Sequence, residues 1–93
     1  MENETNGAET AEIRLKRLRM RSWRRGMKEM DLILGGFADA ELPKLTGPDL
    51  ATYEELLNEN DQELYKWVSG AAPTPSKYAS LLGQIGQFHG IES

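Results

Sequence analysis

An all-α fold, a compact five-helix bundle, is what this sequence predicts, and three observations carry the prediction. Apolar residues recur at spacings of three and four almost throughout, and no stretch alternates apolar and polar as a half-buried strand would. Capping residues, prolines and glycines punctuate the chain into helix-sized pieces. The connections between pieces are short, which favours antiparallel neighbours.

The first helix is expected over 10–24. Thr10 can cap it, and Glu12 lies in its first turn, where the helix dipole favours an anion. Arg14, Arg17, Arg21 and Arg24 share one stripe at 100° per residue, and Ile13, Leu15, Leu18, Met20 and Trp23 spread over the rest. Gly26 ends or kinks this helix, since glycine accepts a left-handed C-terminal cap without steric cost. A second helix follows over 27–40, with Met27, Met30, Leu34 and Phe37 on one face and Ile33 beside them. Gly35 and Gly36 inside it each cost about 1 kcal/mol relative to alanine, and close approach by a neighbouring helix is the simplest reason to keep them.

Pro43 and Thr46-Gly47-Pro48 mark the next break, with Thr46 or Gly47 as cap and Pro48 in the first turn of helix three. Leu50, Tyr53, Leu56 and Leu57 form its buried stripe. Asn60 starts the fourth helix, and with Glu63 it resembles a capping box. Leu64, Trp67 and Val68 face inward, with Tyr65 at the edge, and Gly70 closes the helix. Residues 71–75 read as an extended linker. Ser76 opens the fifth helix, with Tyr78, Leu81, Leu82, Ile85 and Phe88 on one side and Gly90 after it.

Length bounds what such a bundle can do. Ninety-three residues suit one domain, taken as residues 10–90 behind a flexible acidic tail, 1–9. The core will hold about fifteen large apolar side chains, too few to enclose a large cofactor. The absence of cysteine excludes disulfides, thiolate metal sites and thiol nucleophiles. Residues 1–12 carry four glutamates and no basic residue, unlike a secretory or transit peptide. The longest apolar run, 32–38, is too short to span a bilayer. These features predict a protein of the bacterial cytoplasm that does not insert into membranes.

Catalytic sets are missing. His89 is the only histidine, with no second imidazole or thiol to share a metal, so no metal site is expected. The serines have no histidine placed to activate them, and no glycine-rich loop follows a strand. Acid pairs such as Glu54-Glu55, and Asp61 with Glu63, read as solvated faces or caps. The chain therefore reads as a non-enzyme without catalytic, cofactor-binding or metal residues.

Charge is segregated instead. Eight of the eleven Lys and Arg fall in residues 14–28, which hold no acid, while residues 29–93 carry a net −8. A basic helix of this kind admits three readings: a solvated face paired with acids of the bundle, a nucleic-acid surface, or a docking surface for an acidic protein patch. The body is acidic and no recognition helix or RNA-binding pattern follows, so no nucleic acid is expected as partner, with a basic-helix nucleic-acid module kept as the alternative. The segment Trp23-Arg24-Arg25-Gly26-Met27-Lys28-Glu29-Met30-Asp31 favours docking. If Gly26 turns the chain, Arg25 and Glu29 can lie on one surface, offering a donor beside an acceptor. The competing reading is a local Arg25–Glu29 ion pair worth 0–1 kcal/mol if exposed, on the order of other surface pairs.

Arg25-Gly26-Met27-Lys28-Glu29, with Met30-Asp31 after it, resembles the Arg-Gly-x-x-Glu signature of the SdhE family, the flavinylation and assembly factors of succinate dehydrogenase. The likeness continues through Leu32 to Asp39. It returns in Asn60-Asp61-Gln62-Glu63-Leu64-Tyr65-Lys66-Trp67, like the family's acidic run before Leu-aromatic-x-Trp. The resemblance implies a binding protein with no cofactor of its own, a monomer when free. It would bind the flavoprotein subunit of succinate dehydrogenase, in some bacteria that of fumarate reductase, and promote covalent attachment of FAD to a histidine there. It assigns docking first to Arg25, Gly26 and Glu29, then Asp31, then Arg24, Met27 and Lys28. A description attached to some family members, an antitoxin partner of a membrane protein, is the other alternative.

Overall fold

The computed structural model describes residues 9–90. Apart from Glu9, the acidic tail expected over 1–9 lies outside the described residues. Five α-helices follow one another, α1 (Ala11–Ser22), α2 (Lys28–Glu41), α3 (Gly47–Leu56), α4 (Asp61–Ser69) and α5 (Ser76–His89), with a 3₁₀ turn at Leu42–Lys44 after α2. Among the described residues there is no strand. The fold is the expected all-α bundle.

Most starts and stops follow the expected chemistry. Thr10 Oγ1 accepts from Ile13 N at 3.1 Å and Thr46 Oγ1 from Asp49 N at 3.2 Å. Gly70 and Gly90 close α4 and α5 in the left-handed conformation. Two details differ. Asn60 Oδ1 accepts from Gln62 N at 2.8 Å, one position short of a capping box, and Glu63 lies 3.6 Å from Lys66. Gly26 is not a left-handed cap: α1 ends at Ser22 with Trp23 as its cap, and among the described residues the glycines with positive φ are Gly70 and Gly90.

α2 is the central element. Met30, Leu34, Phe37 and Ala38 share one buried face, and the helix packs on α1, α4 and α5. Tyr53, Leu56 and Leu57 of α3, Leu64 and Val68 of α4, and Tyr78, Leu81, Leu82 and Ile85 of α5 complete the core. Phe37 stacks on Tyr53 at a centroid distance of 6.0 Å and takes the edge of Phe88 at 5.8 Å. The expected approach at the double glycine is made by two side chains. A Cβ at Gly35 would overlap the Trp23 ring, and one at Gly36 would lie 3.3 Å from His89 Cε1. His89 is structural, its Nε2 2.7 Å from Ile33 O.

α1 packs chiefly on α2 along a narrow strip. It buries only Leu18 and Ser22, with Leu15 half-buried against the core, so Ile13, Met20 and Trp23 are exposed where the pattern implied a broad apolar face. Phe88 is likewise part-exposed. Ser22 compensates for its burial: its hydroxyl lies 2.8 Å from Leu18 O and 2.7 Å from Tyr53 Oη, and Tyr53 Oη lies 3.3 Å from Leu34 O, so two hydroxyl protons serve three contacts. Three helices thus meet at one polar knot inside the core.

The basic stripe of α1 is largely matched within the fold. Glu54 of α3 accepts from Arg14 at 3.0 Å and Arg17 at 2.9 Å, Glu9 accepts from Arg17 at 2.7 Å, and Arg21 donates to Asn58 at 2.8 Å. The Glu54-Glu55 pair keeps its expected solvated character in Glu55, which is exposed and holds Lys77 at 2.8 Å, while half-buried Glu54 is drawn into a clasp with α1. Burial would raise the Glu54 carboxyl, but hydrogen bonds from Arg17 and Arg14 outweigh it and hold the group below the ordinary carboxylate range.

Candidate functional site

The α1–α2 junction, residues 23–31, is built around three consecutive backbone amides. Arg25 N donates to Asp31 Oδ1 at 2.5 Å, Gly26 N donates to Asp61 Oδ2, and Met27 N donates to the same oxygen at 3.2 Å. Two carboxylates, one from α2 and one from the first turn of α4, therefore determine the path of the loop. Asp61 lies there because Asn60 caps α4 and the helix dipole favours an anion at its first position. Met27 is the N-cap of α2 and has no capping side chain, so Asp61 supplies from α4 an acceptor at the start of α2, beside the first-turn acids Glu29 and Asp31.

Arg25 points inward. Its Nε donates to Asp61 Oδ1 at 2.6 Å, one terminal nitrogen to Leu57 O at 2.7 Å and the other to Glu59 O at 2.8 Å. Leu57 is the C-cap of α3, so the guanidinium satisfies carbonyls left over where that helix ends. The side chains of Arg25 and Asp61 are only 9% and 12% exposed. The expected sharing of one surface by Arg25 and Glu29, and the competing local pair between them, both give way to this longer-range pair with Asp61. The reading of Asp61 as a solvated cap is corrected by the same contacts.

The remaining predicted residues divide in two. Arg24, Lys28 and Glu29 are exposed, the last two in the first turn of α2. Met27 and Asp31 are half-buried, Met27 against the core and Asp31 on the Arg25 amide. Gly26 is exposed on one side and closed on the other: a Cβ there would lie 3.0 Å from Asp61 Oδ2. Glycine at 26 leaves room for the approach of a carboxylate to its amide, a contact a Cβ would crowd, and is not called for by its φ. Beside the junction lie Trp23, whose Nε1 donates to Asp39 at 3.2 Å, and Leu32, which is 54% exposed one turn after Lys28 and Glu29.

Asp61 is the residue that sequence reasoning missed. A signal existed, because Arg25 and Asp61 stand in the two separate segments that carry the family likeness. Nothing local joins them. Among the described residues no group of three or more Asp, Glu or His could hold a metal ion, and no helix is long and apolar enough to cross a membrane.

Residues 16–89 match a family model described as the flavinator of succinate dehydrogenase. The chain belongs to this flavinator family. The match includes the whole junction and the Asp61 segment. Among curated relatives, the chain is similar to the mitochondrial succinate dehydrogenase assembly factor 2 of Drosophila grimshawi, 37% identical over 79 residues that cover 83% of this chain and 54% of the relative. It is also similar to that of Saccharomyces cerevisiae, 40% identical over 77 residues, 77% of this chain and 48% of the relative. The assembly factor 2-A of Drosophila yakuba is 39% identical over 83 residues, 87% of this chain and 51% of the relative. The chain thus spans about half the length of the curated relatives it matches.

Proposed function

We propose that this domain binds the flavoprotein subunit of succinate dehydrogenase before maturation and promotes covalent attachment of FAD to it. The observation that supports the reading best is the junction itself. A chain of the flavinator family presents Glu29, Lys28 and Arg24 to solvent on a loop whose three amides are already pinned. Such a loop loses little conformational entropy on binding, so more of its contact energy remains as affinity. The charged pattern suits a partner surface that offers the reverse arrangement, and the exposed Leu32 beside it offers an apolar contact.

In this reading the chain is a binding factor and not the catalyst. FAD is handled on the flavoprotein, and its isoalloxazine supplies the bond chemistry. The domain holds the partner so that the flavin lies against its acceptor histidine, and the gain comes from positioning. We place this activity in the bacterial cytoplasm, with the chain a monomer when free; the named relatives are mitochondrial. The nucleic-acid alternative loses support because Arg14, Arg17 and Arg21 are engaged within the fold.

The test is capture and flavinylation. The chain is co-purified with the flavoprotein from its host and covalently bound flavin is measured by in-gel fluorescence. Glu29→Ala and Gly26→Arg are each expected to lower both captured flavoprotein and covalent flavin. Unchanged values in both variants would sink the docking role of this surface.

A further inference from the structure

We propose that Asp61 is the positioning residue of the docking surface, and that Arg25 and Gly26 serve docking through Asp61 while Glu29, Lys28 and Arg24 touch the partner. This rests on the binding role proposed above and divides the labour within that surface. It departs from the plain reading of the signature, in which its arginine is itself a contact.

The first argument is hydrogen-bond capacity. Arg25 already places Nε on Asp61 and its two terminal nitrogens on Leu57 O and Glu59 O, all within 2.8 Å. Reaching a carboxylate on a partner would abandon all three acceptors and leave Asp61 a nearly buried, unpaired charge. Arg24, one residue earlier and exposed, can meet a partner without that penalty. The same fork that makes arginine suitable for bidentate recognition makes it suitable for tying two loops together.

The second argument is the route from Asp61 to the exposed charges. Its Oδ2 accepts from Gly26 N and Met27 N, and Met27 is the N-cap of α2. Lys28 and Glu29 are the next two residues. Releasing the two amides frees the cap and lets both side chains shift with the first turn. The third argument is the glycine. Any side chain at 26 would bring its Cβ to 3.0 Å from the carboxylate, while the backbone there needs no positive φ. Gly26 is therefore the space through which Asp61 reaches the loop.

The experiment uses the full chain. Affinity for the isolated flavoprotein subunit of succinate dehydrogenase is measured for wild type, Asp61→Asn, Arg25→Gln and the double variant. Amide hydrogen exchange is followed on the free chain. Each single change should weaken binding about tenfold or more, the scale of a truncated hot-spot residue. The double variant should be no weaker than the poorer single, because both act through one contact. In Asp61→Asn, exchange at Gly26 and Met27 should accelerate while α5 keeps its protection, which separates loop release from unfolding.

Losses that multiply in the double variant, or wild-type affinity in Asp61→Asn, would overturn the assignment. Should Asp61→Asn unfold, Arg25→Lys gives the second reading, since lysine keeps a cation for any partner but cannot span three acceptors. Weakened capture with faster Gly26 exchange then supports the assignment, and unchanged capture overturns it. If wild type captures no flavoprotein, the binding role has failed, and exchange alone decides the positioning claim. That claim stands if Gly26 and Met27 protection is lost selectively in Asp61→Asn and falls if protection is unchanged.

Discussion

At the scale of single residues, the junction shows how far a side chain's role depends on what faces it. Arg24 and Arg25 are neighbours of the same type, yet one is exposed and the other is closed in by Asp61, Leu57 and Glu59. Removing one member of a buried ion pair leaves the other uncompensated. Asp61→Ala should therefore lower stability by about 3 kcal/mol or more, whereas Glu54→Ala, which opens a half-exposed clasp, should cost about 1 kcal/mol or less. Urea denaturation of the two variants checks the contrast. Gly35 makes the opposite demand, for the absence of a side chain. A methyl group there overlaps the Trp23 ring, so Gly35→Ala should cost about 1–3 kcal/mol of overpacking. Trp23 emission should shift to the red as the ring leaves α2, read in a Trp67→Phe background. Had the glycine served only backbone flexibility, alanine would stabilise the helix and leave the emission unchanged.

At the scale of elements, periodicity and caps located all five helices to within about two residues of their ends, as such boundaries allow. These signals are legible because they are local: a cap accepts from an amide two or three residues on, and a buried stripe repeats every three or four. The misreadings share a different cause. Ile13, Met20 and Trp23 of α1 have the right spacing for burial, but α1 packs chiefly on α2 and the three remain exposed. Beside its packing on α2 and the Ser22–Tyr53 contact, α1 is tied to α3 by the clasp of Arg14 and Arg17 on Glu54. The Glu54 and Glu9 carboxyls are both held below their ordinary value of 4.5 by these arginines. A depressed carboxyl stabilises the fold above its unfolded pKa, and that contribution is lost as pH falls through the folded pKa. Stability should therefore decline below about pH 4.5, and Glu54→Gln should flatten that decline while lowering the neutral-pH value. Thermal melts from pH 6 to 3 measure both. An identical acid slope in the variant would show that the clasp contributes nothing.

At the scale of the whole molecule, the fold is a central α2 held to α1 and α3 by one buried polar knot. Burial pushes the Tyr53 phenol up to about 12, against the opposing hydrogen bond shared with Ser22. A raised phenol favours the folded state below its unfolded pKa near 10, and that stability is lost as pH rises from about 10 toward 12. Cooperative alkaline unfolding in this window is expected, with loss of tertiary contacts in α1, α2 and α3 together. Tyr53→Phe should shift the midpoint to higher pH, followed by near-ultraviolet circular dichroism. A midpoint unmoved by the substitution would place the alkaline trigger elsewhere, with Tyr78 the next candidate, since burial and Glu59 raise it likewise.

The division between chain and fold is clear at the candidate site. Helix class, caps, the exposed charges of the junction and the family likeness all reside in short stretches, where neighbours along the chain decide the physics. The partner of Arg25 does not. It stands 36 residues away among eleven acids of the chain's second part, and a one-dimensional pattern ranks none of them. Only the packing of α4 against α2 brings Asp61 to the loop, and only the low exposure of the pair makes the contact strong. Coulomb energy and desolvation depend on distance and burial, which become defined once the helices have met.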